Sequence, residues 1–443
     1  MCADIRHREA RFVVWAGGRR SLGLALGQAE GFRMRRVLRI VLAVGWLLAA
    51  VVVAPQTAQA NPCSTSFSDI NTRMAAGNPV CLANNLTQTD FTSSGLNQLA
   101  VPAGVSTSID LNGYSMTFTA ADGYAGIRVP LTASLTIADS VGTGTLNVAG
   151  GERLNLTGAG AGIGGNGGAA ASSGESVGTL TITGGNIDST GGAGAGGFAA
   201  AAGIGGGGAG FQMTGPAVHG GIGGLVTISG GNVTATGGLG GAVTYQNGAG
   251  IGSGSSNDAA VSASGGTLVL QGTGTPATAG NGYSSGPAAI AGVAATVSTS
   301  PVAGVSFVQT GTDASSAASA GTTSIAFSAD VTFDSAGGSA VSTQTVPWGG
   351  TAAAPVAPTR SGYNFAGWSL GGGSYSFSNL VLAPITLTAS WTESGAGGTG
   401  NSGSGTTGVL AATGVSAFPF GAGALLALAL GGVLLSVTRI RRS

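Results

Sequence analysis

The sequence predicts an all-β protein in which a parallel β-helix, a solenoid of stacked strands, fills most of the chain. Three observations support this prediction. Apolar and polar residues alternate with period two in short runs such as Leu135-Thr136-Ile137. Such runs recur, most clearly at 180–187 and 226–233, which are offset by 46 positions. Glycine supplies 85 of the 443 residues, against a usual share of about 7%, and suits the tight corners between strands.

The N-terminal sixty residues have the features of an export leader. Residues 34–60 are expected to be a secretory signal peptide, with arginines before an apolar stretch at 40–54. Signal peptidase should cut between Ala60 and Asn61, because Ala58 and Ala60 make a small-x-small site. The first 33 residues are then either a non-native extension from a start codon placed too early or part of an unusually long basic leader.

The segment 61–83 that follows contains Cys63 and Cys81, which are 18 positions apart. Outside the cell, two thiols at this spacing more often form a structural disulfide than a metal or catalytic site. We therefore expect a disulfide between them, worth about 3 kcal/mol of stability.

Residues 84–322 make up the repeat region. An Ala-Gly-Ile triplet recurs with its isoleucine at 127, 163, 204 and 251, and a decayed copy ends at Ile290. Constant strands with insertions of variable length are typical of a solenoid. We expect a right-handed β-helix of roughly ten coils, about 50 Å long. Insertions such as 191–201 should protrude from its turns, and a disordered glycine-rich spacer is the alternative.

The repeats resemble the β-helical, carbohydrate-binding-like repeats of bacterial surface proteins, in which Thr-Ile-x-Gly-Gly strands alternate with Ala-Gly-Ile-Gly-Gly turns. The copies at 181–185 and 161–165 carry this resemblance. It implies a surface rod and a glycan ligand, and it specifies the architecture more closely than the ligand.

Charge is scarce and excludes several functions. Between residues 61 and 409, four arginines face thirteen acidic residues, a net charge of −9, and the chain has no lysine. This balance gives no electrostatic footprint for nucleic acid, and without lysine neither an isopeptide crosslink nor a Walker phosphate loop can form. Glycine patterns at 160–165 and 192–197 mimic a dinucleotide fingerprint but open no helix, so we predict no cofactor and no metal site.

An enzyme built on the rod would need paired carboxylates, or calcium-binding carboxylates with a base. The candidates are Asp139, Glu152, Arg153, Glu175 and Asp188. They are scattered along the chain, and we expect them to be solvated turn residues. His219 lies in a glycine-rich insertion and should face solvent rather than act as a general base. A non-catalytic rod is therefore predicted, with a polysaccharide lyase or glycosidase as the alternative.

Residues 323–393 are rich in aromatic side chains. Their motifs are at 331–334, 358–368 (Pro-Thr-Arg-Ser-Gly-Tyr-Asn-Phe-Ala-Gly-Trp) and 385–391. The pattern resembles the Listeria–Bacteroides repeat, or internalin B-repeat, which implies a small β-grasp-like domain. Trp348 stands where that family usually has tyrosine. We expect the aromatics to form a core, with Arg360 over one ring, rather than an exposed sugar-binding platform.

The C-terminus has the features of a membrane anchor. A Gly/Ser/Thr linker at 394–409 precedes an apolar run at 418–437, which is long enough to cross a bilayer as a helix. Three arginines after it should stay in the cytoplasm.

The pentapeptide between linker and helix resembles a sortase sorting signal. It consists of Leu410, Ala411, Ala412, Thr413 and Gly414. The alanine after leucine resembles the signal read by class E sortases of actinobacteria. The resemblance implies cleavage after Thr413 and transfer of the protein to peptidoglycan, and a plain membrane anchor is the alternative. The sequence as a whole predicts an extracellular, wall-anchored adhesin or glycan-binding surface protein.

Overall fold

The computed structural model describes residues 63–395, apart from residue 154 and the segments 195–198, 212–217, 241–245, 257–262, 284–290 and 317–318. Within this part, no helix is long and apolar enough to cross a membrane. The predicted signal peptide with Ala58, Ala60 and Asn61, the sorting signal 410–414 and the predicted membrane helix all lie outside the described residues.

The described residues are nearly all in strands, turns and extended segments. The two helices are α1 (Phe67–Ala75) and α2 (Gln88–Ser93). The strands are β1 (Val80–Cys81), β2 (Leu99–Ala100), β3 (Ser106–Asp110), β4 (Ser115–Thr119), β5 (Ile127–Arg128), β6 (Ser134–Ala138), β7 (Thr145–Ala149), β8 (Ile163–Gly164), β9 (Thr179–Ile182), β10 (Asn186–Thr190), β11 (Ile204–Gly205), β12 (Leu225–Ile228), β13 (Asn232–Thr236), β14 (Ile251–Gly252), β15 (Thr267–Leu270), β16 (Thr296–Thr299), β17 (Val305–Thr312), β18 (Thr322–Asp334), β19 (Gln344–Pro347), β20 (Tyr363–Leu370), β21 (Gly373–Ser374) and β22 (Ile385–Glu393).

Most strands form three parallel sheets that the chain visits in turn. Sheet 1 has the order β1-β3-β6-β9-β12-β15-β16, sheet 2 begins β4-β7-β10-β13, and sheet 3 has the order β2-β5-β8-β11-β14. One coil therefore contains a strand from each sheet, and the next coil stacks on it in register. The apolar residue of each alternation points inward, as in the buried column Leu135, Leu180, Val226 and Leu268.

The coils are larger and fewer than predicted. Ile127, Ile163, Ile204 and Ile251 occupy the same position in neighbouring strands of sheet 3, so a coil takes the whole repeat of 36 to 47 residues. Seven strands in sheet 1 give a stack about 29 Å long at ~4.8 Å per strand. The expectation of roughly ten coils is wrong because the glycine-rich insertions belong to the coils.

These insertions pack instead of protruding. The insertion residues Gly207, Gly208 and Gly221 are buried. Their backbones hydrogen-bond to a neighbouring coil, for example Gly208 N to Ala159 O (2.9 Å) and Gly207 N to Glu175 O (3.1 Å). Within the insertion itself, Gly221 N donates to Gly207 O (2.7 Å). Backbones can approach this closely only where side chains are absent or small. The prediction of protruding loops is therefore wrong for the described part of these segments, which form a second, glycine-rich layer.

The N-terminal end of the rod is closed by α1. Ser66 caps this helix by accepting a hydrogen bond from the backbone of Asp69. Phe67 packs edge-on against Phe91 and Phe118, with ring centroids 5.1 and 5.0 Å apart. Cys63 and Cys81 form a disulfide bond that fastens the segment before α1 to β1. The cap covers apolar surface that the first coil would otherwise expose.

The other end is closed by β18, a strand that belongs to two parts of the molecule. Its first half pairs antiparallel with β13 and β17, which ends the stack of sheet 2. Its second half pairs antiparallel with β19 and parallel with β22, which in turn pairs with β20. Trp368, Phe333 and Leu387 lie in the core of this small C-terminal domain, so one continuous strand joins the rod to the domain.

Candidate functional site

The outer face of sheet 2 carries ordered columns of polar side chains. Each strand points three side chains outward, because β-strands alternate faces. In one column, Thr119, Ala149, Thr190 and Thr236 lie opposite one another on β4, β7, β10 and β13. In the next column, Asp188 of β10 lies between Asn147 of β7 and Thr234 of β13.

A cleft of about 410 Å³ opens where the threonine column meets the glycine-rich layer. Its lining includes the side chains of Thr119, Thr190 and Thr236, with Glu152 and Leu239 nearby. Its glycine floor comprises Gly150, Gly191, Gly192, Gly237 and Gly238. A second hollow of about 190 Å³ shares part of this lining and includes Asn147 and Asp188. Together the two form a groove across the strands of sheet 2, which we call the sheet 2 cleft.

The floor is glycine because the backbones beneath it are too close for a side chain. A Cβ atom on Gly192 would lie 2.0 Å from the carbonyl oxygen of Gly151, and one on Gly237 would lie 2.0 Å from that of Gly248. The glycine-rich layer therefore forms the floor of the cleft, and the threonine column forms its wall.

The chemistry of the sheet 2 cleft is that of hydroxyl, amide and carboxylate groups. Hydroxyls both donate and accept hydrogen bonds, and the exposed Glu152 and Asp188 accept them. The described residues contain no cluster of three potential metal ligands among histidine, cysteine, aspartate and glutamate. The groups present suit a ligand rich in hydroxyls that is held by many weak contacts.

Asp139, a candidate catalytic carboxylate, has a structural position instead. Its side chain is buried, with 5% exposure. Its oxygens accept hydrogen bonds from the backbone N–H groups of Gly113 (2.8 Å) and Gly144 (2.5 Å). The predicted turn location is right, but the predicted solvation is wrong, because the carboxylate is buried. Its hydrogen bonds join two successive corners between sheets 1 and 2.

Glu175 is engaged in an ion pair across coils. Arg128 donates from Nε and Nη2 to the two carboxylate oxygens, at 2.8 and 2.5 Å, and the backbone N–H of Asn166 donates at 3.1 Å. These hydrogen bonds raise the pKa of Arg128. Glu175 is thus half-buried rather than solvated, and it is occupied by structural contacts.

His219 and Arg153 lie in or beside the glycine-rich layer. His219, predicted to face solvent, is half-buried, and its Nδ1 lies 2.7 Å from the carbonyl oxygen of Gly220. The backbone N–H of Arg153 donates to Ala193, and burial lowers the pKa of its guanidinium. The structure does not bring the six candidate residues together, and only Glu152 and Asp188 line the sheet 2 cleft.

The residues that build the cleft were not predicted as a site. Thr190 and Thr236 stand at equivalent positions of the two clearest repeats, three places after the conserved pattern Gly-Gly-Asn-Ile/Val within this chain. Reading the outward positions of each strand together would have found the column. The same pattern does not show that the threonine column lies next to the glycine-rich layer, because that contact depends on how the insertions fold.

The aromatic residues of the C-terminal domain form a core. Trp368 is 5% exposed, and Phe365 packs edge-on between Trp368 and Trp391 at centroid distances of 5.4 and 5.6 Å. Arg360 lies 4.0 Å above the ring of Tyr363. This arrangement confirms the predicted packing of the aromatic side chains and the cation–π contact of Arg360.

Comparison with known proteins assigns this domain. Residues 330–390 match the Listeria-Bacteroides repeat domain, which confirms the resemblance seen in the sequence. No curated protein and no solved structure matches the chain. The identified part of the molecule is therefore this C-terminal repeat domain, a type of domain found in surface proteins.

Proposed function

We propose that this protein is a non-catalytic, cell-wall-anchored surface protein that binds a neutral glycan in the sheet 2 cleft. The observation that carries the proposal is the cleft itself, where three threonine hydroxyls line a glycine floor beside an exposed carboxylate. Its volume lies within the range of about 300–1,000 Å³ for ligand pockets. Hydroxyl, amide and carboxylate groups can all hydrogen-bond to sugar hydroxyls.

The acidic groups at the sheet 2 cleft favour an uncharged ligand. Glu152 and Asp188 border the groove, and the exported part of the chain is acidic. These carboxylates would repel an anionic polysaccharide, whereas they would not weaken the binding of a neutral glycan. An adhesin role follows, in which weak sites on many copies of the rod add up to firm attachment.

The proposed location has several supports. The Listeria-Bacteroides repeat at 330–390 is typical of surface proteins. The sequence supplies a leader at 34–60 and, in the proper order, a linker, Leu410–Gly414, an apolar run and a basic end. We propose export by signal peptidase cleavage, sortase attachment to peptidoglycan, a right-handed solenoid and a β-grasp-like C-terminal domain.

A glycan array probed with the full-length protein tests the binding proposal. Thr190→Tyr and Thr236→Tyr should fill the cleft and lower the binding of neutral glycans at least tenfold, because the larger rings occupy the volume of the sugar. Thr386→Tyr, on an exposed position of β22, is the matched control and should bind as the parent does. Equal binding by parent and cleft variants would contradict the proposed site.

A polysaccharide lyase or glycosidase is the second candidate, because Glu152 and Asp188 are both exposed on one groove. Reducing-sugar and unsaturated-product assays on pectins, alginates and wall glycans, with and without calcium, would detect it. We expect no turnover. Turnover that is abolished by Glu152→Gln or Asp188→Asn, with folding intact, would favour the enzyme.

A further inference from the structure

The outer face of sheet 1 is a second, different surface. Strands β3, β6, β9, β12, β15 and β16 pair in continuous parallel register without a bulge. Two outward columns run across all six strands, and at one edge of this face Asp110 and Ala138 hold a third outward position, where the Asp110 carboxylate accepts hydrogen bonds from the corner backbones of Asn112 and Ser140. The first is Ser106, Ser134, Thr179, Leu225, Thr267 and Thr296; the second is Ser108, Thr136, Thr181, Thr227, Val269 and Ser298. Ten of these twelve positions carry a hydroxyl, and none is charged or aromatic.

The hydroxyls at the centre of this face are available. The side chains of Thr136, Thr181 and Thr227 are half-buried by their neighbours, and among the described residues none hydrogen-bonds to these three hydroxyls. Some outward side chains elsewhere are engaged, such as Ser298 with the Leu268 carbonyl (3.5 Å) and, on sheet 2, Ser115 with Thr145 (2.9 Å) and Asn232 with Asn186 (2.8 Å). The three central threonines of sheet 1 therefore have hydrogen-bonding capacity for a partner outside the protein.

The spacing of the face is regular in two directions. Neighbouring strands of a parallel sheet lie about 4.8 Å apart, and outward residues along one strand are separated by about 6.6 Å. The backbone hydrogen bonds of the solenoid hold this spacing, so the hydroxyls and methyls of the threonines form a rigid, neutral, two-dimensional array.

Such an array complements a partner that is itself a flat, neutral lattice of hydrogen-bonding groups. The lack of charge disfavours nucleic acids and charged membrane surfaces. The lack of aromatic rings disfavours crystalline polysaccharides, whose sugar faces would stack on them. An ordered water lattice remains, because hydroxyls can take the place of lattice waters while methyl groups fill the spaces between them.

We propose that the outer face of sheet 1 binds ice. The central threonines would order a layer of water that merges with the ice surface, and the rest of each column would extend the contact. This site lies on a different sheet from the proposed glycan cleft, so either proposal can fail alone.

Ice-affinity partitioning of the full-length protein tests the proposal directly. Protein is enriched in ice that grows slowly on a cold finger only if it binds the ice surface, and inhibition of ice recrystallisation gives a second readout. The double variant Thr181→Tyr/Thr227→Tyr should reduce both signals at least tenfold, because two protruding rings lift the face from a flat lattice. Aromatic residues suit strands, so this variant should fold.

Two controls keep the test decisive. Thr386→Tyr on β22 should partition into ice as the parent does, and circular dichroism and thermal unfolding should show that the double variant retains the solenoid. Exclusion of the parent protein from ice, or equal partitioning of parent and double variant, would overturn the proposal. Binding to crystalline cellulose or chitin that the double variant loses, without ice binding, would also overturn it and assign the face to a polysaccharide.

Discussion

At the scale of single residues, Asp139 illustrates how the solenoid uses its few charged groups. Its oxygens accept hydrogen bonds from backbone N–H groups of two successive corners. Asp110 does the same nearby, accepting from the backbone of Asn112 and Ser140, both at 2.9 Å. Carboxylates at these corners satisfy donors that a sheet-to-sheet turn would leave unpaired.

We expect Asp139→Ala to lower the free energy of unfolding by about 2–4 kcal/mol, since two backbone donors lose their acceptor at a buried corner. Urea denaturation followed by circular dichroism measures this change. Asp188→Ala is the matched control, and its exposed position should keep the effect within about 0.5 kcal/mol. Equal stability of the two variants would contradict the structural role.

Gly207 represents the glycine-rich layer. A Cβ atom at this position would lie 1.9 Å from the backbone oxygen of Asn166, so a neighbouring segment must move to accept it. We expect Gly207→Ala to cost at least about 1–3 kcal/mol, the usual range for overpacking. Gly373→Ala is the control, because its nearest neighbour would be 3.7 Å away. Thermal unfolding of both variants decides whether the layer is tightly packed.

At the scale of elements, β18 and Trp348 connect the two parts of the molecule. Trp348 follows β19, yet it packs against the core of the solenoid. A Cβ atom on Gly230 would lie 2.4 Å from its ring, so glycine at the corner between β12 and β13 makes room for the indole. The lack of a side chain at Gly230 therefore explains how the large indole ring of Trp348 fits against this corner.

We expect Trp348→Ala to weaken the coupling between solenoid and C-terminal domain by about 2 kcal/mol, less than the 3–5 kcal/mol typical of a fully buried tryptophan, because Trp348 is half-buried. Calorimetry of the parent should show one transition, and that of the variant should show two. Val356→Ala, at a residue that is 91% exposed, should leave a single transition. Two transitions in the parent would contradict the coupling.

For the molecule as a whole, the rod has a helical cap at its first coil, an antiparallel strand at the end of sheet 2, and few charged residues. Helix α1 covers the first coil, and β18 runs antiparallel to the last strand of sheet 2, which covers the edge of that strand. A rod joined to a small domain suits a protein that displays its side faces, which is where the sheet 2 cleft and the sheet 1 hydroxyls lie.

Export and wall attachment would set both ends of the mature protein. Mass spectrometry of protein released from cell walls by a peptidoglycan hydrolase should find Asn61 as the first residue and Thr413 as the last, linked to a wall fragment. A C-terminus that continues past Gly414 would favour the plain membrane anchor. Intact chain in the cytosol, with residues 34–60 attached, would contradict export.

Much of the fold could be predicted because it rests on local patterns. Alternation in runs such as 135–137 depends only on which side of a strand faces the core, and the motif at 358–368 depends on a short stretch of aromatic packing. The structure contains both features. The coil size could not be predicted in this way, because a glycine-rich insertion resembles a loop until its partners in other coils are known.

The strand alternation, the repeat and the C-terminal repeat domain can be recognised in the amino-acid sequence, since these features depend on neighbours in the chain. The burial of Asp139, the packing of glycine backbones in layers and the alignment of threonines from three coils in one column become visible in the folded protein alone. Each of these depends on contacts between residues about 25 to 50 positions apart. Stacking sets such contacts, because the length of every intervening insertion determines which residues become neighbours.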